Sequence, residues 1–271
     1  IGSVICGGII AATGDWGYCF WVPAAIAATG VVFVIITLRD TPKSVGLPEL
    51  ENTRTELDDN DSPEAFRAFL RKRVFRNPII WVLAVTDIFV YVVRFAILDW
   101  GPTFLQDRAN PLSPELAGWT LAIFEIAGCV GMLCAGWVSD KFFDGKAHRM
   151  CVVEMFLVAI CMAALQFVPA EANSVVVLIL LALSGFFIYG PQALLGVVAT
   201  KQATKKAASS AVGLIGFMSY LSVIITGAGL GWFSDTFGWD YLFILMAGFA
   251  LVGGIIVTSL WNIKDDGYIH D

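Results

Sequence analysis

Long apolar blocks separated by short polar turns organise this chain. Apolar spans run near 18–38, 79–105, 115–138, 150–168, 174–198, 208–232 and 240–261, after a shorter stretch at 1–12. Trp16 to Leu38, Asn173 to Thr200, Ala207 to Ser234 and Tyr241 to Ile263 contain no Asp, Glu, Lys or Arg. A run of about 18 or more apolar residues can cross a bilayer as a helix. The pattern therefore predicts an all-α polytopic membrane protein. Residues 1–12 are too few to span and read as the tail of a helix whose start lies upstream.

The turns are short: TGDWG at 13–17, QDRANPLSP at 106–114, SDKFFDGKAHR at 139–149, PAEANS at 169–174, KQATKKA at 201–207 and SDTFGWD at 234–240. Only the connection at 39–77 is long, polar and rich in Asp and Glu, a composition that predicts loose packing. Its end differs. In SPEAFRAFLRKRVF (62–75), Ser62 can cap a helix with Pro63 at its first position. Phe66, Phe69, Leu70 and Arg73 then share one side. This predicts a short amphipathic helix on the membrane surface, with Arg67, Arg71, Lys72 and Arg73 near lipid headgroups.

Charge placement sets an expected topology. Segments 39–77, 139–149, 201–207 and 262–271 hold eight, three, three and one Lys or Arg, whereas the alternate loops hold only Arg108. By the positive-inside rule the linker, the other basic loops and the C-terminus face the cytoplasm. Six full spans after a long cytoplasmic loop match one half of a two-bundle transporter design. Gly128, Gly131 and Gly136 on one span, and Gly213, Gly216, Gly227, Gly229 and Gly231 on another, favour close helix contact.

Composition agrees: 58% of the 271 residues are hydrophobic and 15% charged, with mean hydropathy +0.76. The six cysteines form no Cys-x-x-Cys pair, and His148 and His270 make no metal cluster. No phosphate loop, HExxH or GxSxG occurs, and no soluble catalytic domain fits between the spans. Neither an enzyme nor a metal or cofactor is indicated. The basic cluster at 67–76 is too short and too close to the membrane to suggest nucleic acid.

Few ionisable groups lie at membrane depth: Asp87, Arg94, Asp99, Glu125 and Glu154. Arginine at the centre of a lone helix costs about 2.5–3.5 kcal/mol on insertion scales, so it normally faces a bundle interior or a watery cavity. Asp87, Tyr91 and Arg94 can share one helix face. Arg94 has three possible employments. Its planar fork can grip a phosphate or carboxylate; it can pair with Asp87, Asp99 or Glu125; or it can snorkel to the interface. Glu125, mid-span, can answer Arg94 or act as a protonated hydrogen-bond partner. Asp99, before Trp100-Gly101-Pro102, reads as a helix-end or gating residue, and Glu154 as a partner of the Lys141–Arg149 loop. FFIYGPQALLG (186–196) places Tyr189 and Gln192 beside a Gly-Pro step that tends to bend a helix, and GLIGFMSYLS (213–222) offers Phe217, Ser219 and Tyr220.

Four stretches in order, RDTPKSVGLPE (39–49), NPIIWVLAVTDIFVYVVRFAILDWGPTFL (77–105), GWVSDKFFDG (136–145) and FIYGPQALLGVVATKQATKKAA (187–208), resemble the C-terminal half of the major facilitator superfamily. More narrowly, they are similar to the organophosphate:inorganic phosphate antiporters. The resemblance implies the end of helix 5 and helix 6 at 1–38, a cytoplasmic linker at 39–77, a six-helix C-terminal bundle of a twelve-helix fold at 78–261, and a cytoplasmic tail at 262–271. It implies exchange of an organic phosphate for inorganic phosphate by alternating access in a cell membrane (the bacterial inner membrane), with the rest of the site in an N-terminal half outside this sequence.

Under the same resemblance, Arg94 corresponds to the C-terminal member of a phosphate-binding arginine pair. Tyr91, Glu125 and Tyr189 correspond to cavity residues. Asp140 lies in an imperfectly spaced Gly-x-x-x-Asp latch, and Asp87 and Asp99 are further gating or latch candidates. Phe217 replaces a tyrosine of the glycerol-3-phosphate branch, and Gln192 resembles the hexose-phosphate branch. Both point to a sugar phosphate, with hexose 6-phosphate expected. Against that, 209–232 lack the acidic–basic pair some hexose-phosphate transporters carry. That branch also includes a sugar-phosphate receptor signalling to a histidine kinase, so a sensor kinase is an alternative partner.

Overall fold

The computed structural model describes residues 8–9, 12–39, 46, 62–107, 114–169, 173–238 and 241–264, the side chains of 114–116 and 118 aside. Most of the expected partial span at 1–12, the linker at 40–61 (save 46) and the tail beyond 264 lie outside these. The chain divides into two units, residues 1–54 and 55–271.

The first unit contains α1, Tyr18–Thr37, whose apolar side chains cover every face. Asp15 Oδ1 accepts from the Gly17 amide at 2.8 Å just before it, meeting one of the donors that a helix start leaves unpaired. Along α1 the hydroxyls of Thr29 and Thr37 donate to the carbonyls of Ala25 and Phe33. A threonine in an apolar helix is thus satisfied by its own backbone.

The second unit opens with α2, Pro63–Leu70, and a π-helical turn at Arg71–Phe75. Ser62 Oγ accepts from the Ala65 amide at 3.2 Å, the cap expected from the sequence. The apolar side of α2 is not devoted to lipid. Phe69 and Val74 are buried in the protein core while Phe66 and Phe75 stay exposed. Trp81 Nε1 donates to the Phe75 carbonyl at 2.8 Å, tying the π turn to the helix that follows.

Six helical stretches then succeed one another: α3 Pro78–Asp107, α4 Pro114–Phe142, α5 Ala147–Gln166, α6 Ser174–Ala203, α7 Ala208–Phe237 and α8 Leu242–Thr258. Among the described residues, six helices, α1 and α3–α7, are long and apolar enough to cross a membrane. The apolar α8, at 17 residues, is shorter. At 1.5 Å per residue its length is roughly 25 Å, at the lower end of what spans.

The main helix pairs are α4 with α6, α5 with α6 and α8, α3 with α7 and α8, and α3 with α6. Exchanging α3 with α6, α4 with α7 and α5 with α8 returns the same set. Successive spans alternate in direction, so two three-helix units related in this way form an inverted repeat. Water drives no packing between helices inside a bilayer, and close backbone approach carries much of the cohesion. The α4–α6 crossing supplies it. A methyl at Gly131 would overlap the Phe186 carbonyl, and one at Gly185 would come within 2.5 Å of the Phe124 carbonyl.

The α7 glycines behave differently from expectation. Gly213, Gly216 and Gly227 have open space beside them, as does Gly136 on α4. Gly231 alone of the α7 set lies against an aromatic ring: a methyl group there would come within 3.1 Å of the Trp100 indole. Helix α7 is interrupted by a π turn at Ile225–Gly229, and Trp100 Nε1 donates to the Thr226 carbonyl there at 2.9 Å. A π turn disturbs the regular ladder, and a side chain from α3 claims an oxygen it releases.

At the end bearing the basic loops, three segments are tied together. Gly145, with φ 74°, closes the α4–α5 turn, and Lys201 Nζ donates to its carbonyl at 3.2 Å. Arg149 Nε donates to the Trp261 carbonyl at 3.1 Å, and Gln202 Nε2 to that of Lys264 at 2.7 Å. Three of the segments grouped by their charge, 139–149, 201–207 and 262–264, thus lie at one end of the bundle.

Gly131→Ala is expected to lower stability by about 1–3 kcal/mol through overpacking at the α4–α6 crossing. Gly136→Ala should leave stability unchanged, as its surroundings are open. Unfolding midpoints of the two variants in detergent, compared with the parent, check this contrast.

Candidate functional site

Helix α3 runs unbroken through VYVVRFAILDW, where alternating apolar neighbours hold the helix and leave Tyr91 and Arg94 one turn apart. Arg94 does not reach for an interface. Its guanidinium lies 4.7 Å from the ring centroid of Tyr189 on α6, and 5.9 and 5.7 Å from those of Tyr91 and Phe95. A cation within about 6 Å of an aromatic face is attracted by the ring quadrupole. Nη2 stands 3.6 Å from Glu125 Oε1 on α4, with side-chain exposures of 17% and 33%. Of the three carboxylates considered from sequence, only Glu125 pairs with it among the described residues.

That pair is loose. Strong charge-assisted N–H to carboxylate bonds are near 2.7–2.9 Å, and Arg94 Nε is buried with no hydrogen-bond partner among the described residues. The Tyr189 hydroxyl lies close to Glu125 and Arg94 without completing a bond of good geometry. Gln192 Nε2 contacts the Tyr91 hydroxyl at 3.4 Å, while Gln192 Oε1 is unclaimed. The cluster therefore offers one under-committed cation, a phenol and an amide carbonyl, the groups that bind an anion carrying hydroxyls.

The α4–α6 crossing builds this arrangement. Gly128 lies directly against the Tyr189 ring, where any larger residue would displace it, and Phe124 packs edge-on to that ring at 5.9 Å. Helix α7 adds Tyr220, whose ring stands 5.8 Å from Tyr91 and 6.2 Å from Phe95. Phe217, one turn earlier, is 68% exposed and makes no ring contact with the cluster. Both residues sit on one helix face at a spacing of three; the resemblance singles out Phe217, whereas it is Tyr220 whose ring meets Tyr91 and Phe95.

The remaining acids are elsewhere. Asp87 is buried and accepts a hydrogen bond from the Ser219 hydroxyl of α7 at Oδ2, leaving Oδ1 without a partner. Asp99 and Asp140 are exposed and form no hydrogen bond or ion pair among the described residues. Glu154 corrects an expectation. It does not reach the Lys141–Arg149 loop but is fully buried against Gly190 of α6, neither oxygen hydrogen-bonded among the described residues. A separate apolar groove of about 540 Å³, lined by residues such as Phe233, Phe237, Tyr241 and Phe249, contains none of these groups.

A family profile described as Major Facilitator Superfamily matches residues 1–227 and, in an overlapping second match, 110–267. The chain belongs to the major facilitator superfamily. Within this superfamily the relatives it resembles include glycerol-3-phosphate and hexose-phosphate transporters and a membrane sensor protein. It is 33% identical over 254 residues to the glycerol-3-phosphate transporter of Bacillus subtilis, covering 91% of this chain and 56% of the relative. To the "Probable hexose phosphate transport protein" of Chlamydia pneumoniae it is 30% identical over 269 residues, covering 94% and 59%. To the membrane sensor protein UhpC of Escherichia coli it is 30% identical over 252 residues, covering 91% and 57%. The chain thus spans little more than half the length of these relatives.

Ser219→Ala, which strips the buried Asp87 of its donor, is expected to destabilise the bundle by about 1–3 kcal/mol. Phe217→Ala should change stability by less than about 0.5 kcal/mol, as exposed positions usually do. Thermal unfolding of both in the same detergent provides the comparison.

Proposed function

We propose that residues 78–261 contribute one half of a transport site in which an organic phosphate exchanges for inorganic phosphate by alternating access. The observation that carries this is Arg94. It is a cation inside an apolar bundle, stacked on Tyr189 at 4.7 Å, with a loose 3.6 Å ion pair to Glu125 and an unclaimed Nε. Such a guanidinium retains its fork for a bidentate oxyanion. Glu125 then serves as a stand-in counter-charge that yields when a phosphoryl group enters.

The remainder of the site lies, in this proposal, in a preceding half of the same protein, to which residues 1–38 belong. The basic loops face the cytoplasm, and residues 39–77 join the halves there. Asp87, Asp99 and Asp140 act away from the ligand as gating or latch residues. Phe217 lines the side of the cavity that the other half closes.

For the organic group we propose a sugar phosphate, with hexose 6-phosphate first. Gln192 Oε1 is a buried acceptor without a partner among the described residues, and its amide contacts the hydroxyl of Tyr91, one turn from Arg94, which supports a role in receiving sugar hydroxyls. Glycerol 3-phosphate is the second candidate, supported by the Bacillus subtilis relative. A receptor working with a sensor kinase is supported by the likeness to UhpC. A receptor would bind ligand tightly with little flux, which separates it from an exchanger in proteoliposomes loaded with phosphate.

Arg94→Lys keeps the charge and loses the fork. In the full-length protein it should weaken inorganic phosphate binding by about tenfold or more, since hydrogen bonds to charged groups are worth roughly 1.5–3 kcal/mol. Equilibrium binding of labelled phosphate measures this, and unchanged affinity in a folded variant would sink the assignment. In the same assay glucose 6-phosphate should displace phosphate at lower concentration than glycerol 3-phosphate; the reverse order would replace the hexose by the triose.

A further inference from the structure

Glu154 is the carboxyl that the proposed site does not use. It lies on α5 at 0% exposure, and neither oxygen accepts a hydrogen bond among the described residues. Its carboxyl presses on the backbone of α6 at Gly190, where a methyl group would overlap both oxygens. Gly190 precedes Pro191 within α6. Proline has no amide hydrogen, so the carbonyl four residues earlier, that of Phe187, loses its helical donor. A buried carbonyl without a partner is costly, and so is a buried carboxylate without a cation or donor.

Among the described residues, the groups around Glu154 offer no positive charge. On α5 the Cys151 thiol lies within electrostatic reach of both Glu154 and Asp87. On α3 Asp87 is itself an acid, engaged by Ser219 of α7. On α6 the adjacent titratable group is Tyr189, and Arg94 sits over that ring rather than over Glu154. Helix α8, Leu242–Thr258, which packs on α5, carries no ionisable residue.

We propose that Glu154 is a neutral carboxylic acid whose hydroxyl donates to the Phe187 carbonyl, fixing the Gly190–Pro191 step that presents Tyr189 and Gln192 to the anion site. One proton satisfies two groups that would otherwise be buried unpaired. Gly190 is required because only a residue without a side chain leaves room for the carboxyl. Glu154 is then a positioning residue: it touches no ligand and acts through the backbone of α6. Its effect on ligand binding rests on the anion site proposed above, whereas its protonation does not.

The test uses the full-length protein in lipid, with inorganic phosphate as the probe. Infrared spectroscopy should reveal a protonated-carboxyl carbonyl stretch that shifts in D₂O and is lost in Glu154→Gln. Glutamine keeps the shape and a donor, so Glu154→Gln should bind phosphate within about twofold of the parent, whereas Glu154→Ala should bind about tenfold more weakly, the consequence of one unsatisfied buried acceptor. The pH dependence of binding in Glu154→Gln should superimpose on that of the parent. Absence of the band, or equal impairment of the glutamine and alanine variants, would overturn the proposal. If the alanine variant does not fold, the band and the glutamine variant decide alone. If the parent binds no phosphate, the anion-site proposal fails, and the infrared band still tests Glu154.

Discussion

A guanidinium inside an apolar bundle constrains everything around it. Arg94 cannot lose its charge, and its side chain is only 17% exposed, so the surrounding helices must supply much of what solvent would. They do so with the face of Tyr189 at 4.7 Å and the edge of a carboxylate at 3.6 Å. Neither contact uses up the five donors of the side chain. An aromatic face stabilises a cation without consuming a hydrogen bond, and an ion pair stretched beyond ordinary bonding distance stabilises it without locking it. A tighter pairing would have made Arg94 a structural rivet.

Glycines set the geometry of that compromise. Because Gly128 has no side chain, the ring of Tyr189 can lie directly on α4. Because Gly131 and Gly185 meet the backbones of the opposite helix, α4 and α6 approach closely at the level of Glu125 and Tyr189. The residues that hold the bundle together without hydrophobic pressure thus also fix the distance between the cation and its counter-charge. Stability and site geometry share one helix crossing. The corresponding pair across the inverted repeat, α3 with α7, is built instead around a π turn and the Trp100 indole.

Much of this was legible in the chain itself. Apolar runs long enough to span, some of them carrying one to three charges, place the helices to within about five residues at each end, since hydrocarbon leaves little choice but internally bonded helix. Ser62 and Pro63 announced the start of α2. Arg94, Tyr91, Glu125, Tyr189 and Gln192 stood out as polar exceptions in apolar surroundings, and they converge. What was not legible depends on helix rotation. Phe217 and Tyr220 share a face, and only packing brings Tyr220 onto Tyr91. Likewise, the glycines of α4 and α7 look alike in sequence, yet Gly131 meets a backbone and Gly216 meets nothing. Proximity along the chain points Glu154 toward the nearby basic loop. The fold turned it inward by a helical face that an evenly apolar sequence does not mark.

Glu125 and Glu154 sit on successive helices and both approach α6, yet their surroundings divide their roles. Glu125 retains partial exposure and a cation, so a negative charge there has two sources of stabilisation. Glu154 has neither exposure nor a cation among the described residues, and it faces backbone at a point where proline has removed a donor. A carboxyl group adapts to both conditions, as an acceptor when ionised and as a donor when protonated. One acid can then balance charge on the Arg94 side of α6 while the other, as proposed, supplies a hydrogen to its backbone on the α5 side. Tyr189 lies between them, with its ring against the arginine and its main chain next to the glycine that Glu154 contacts. Any movement of α6 that separates Tyr189 from Arg94 must also move Gly190 relative to Glu154, because the two residues are adjacent in one helix.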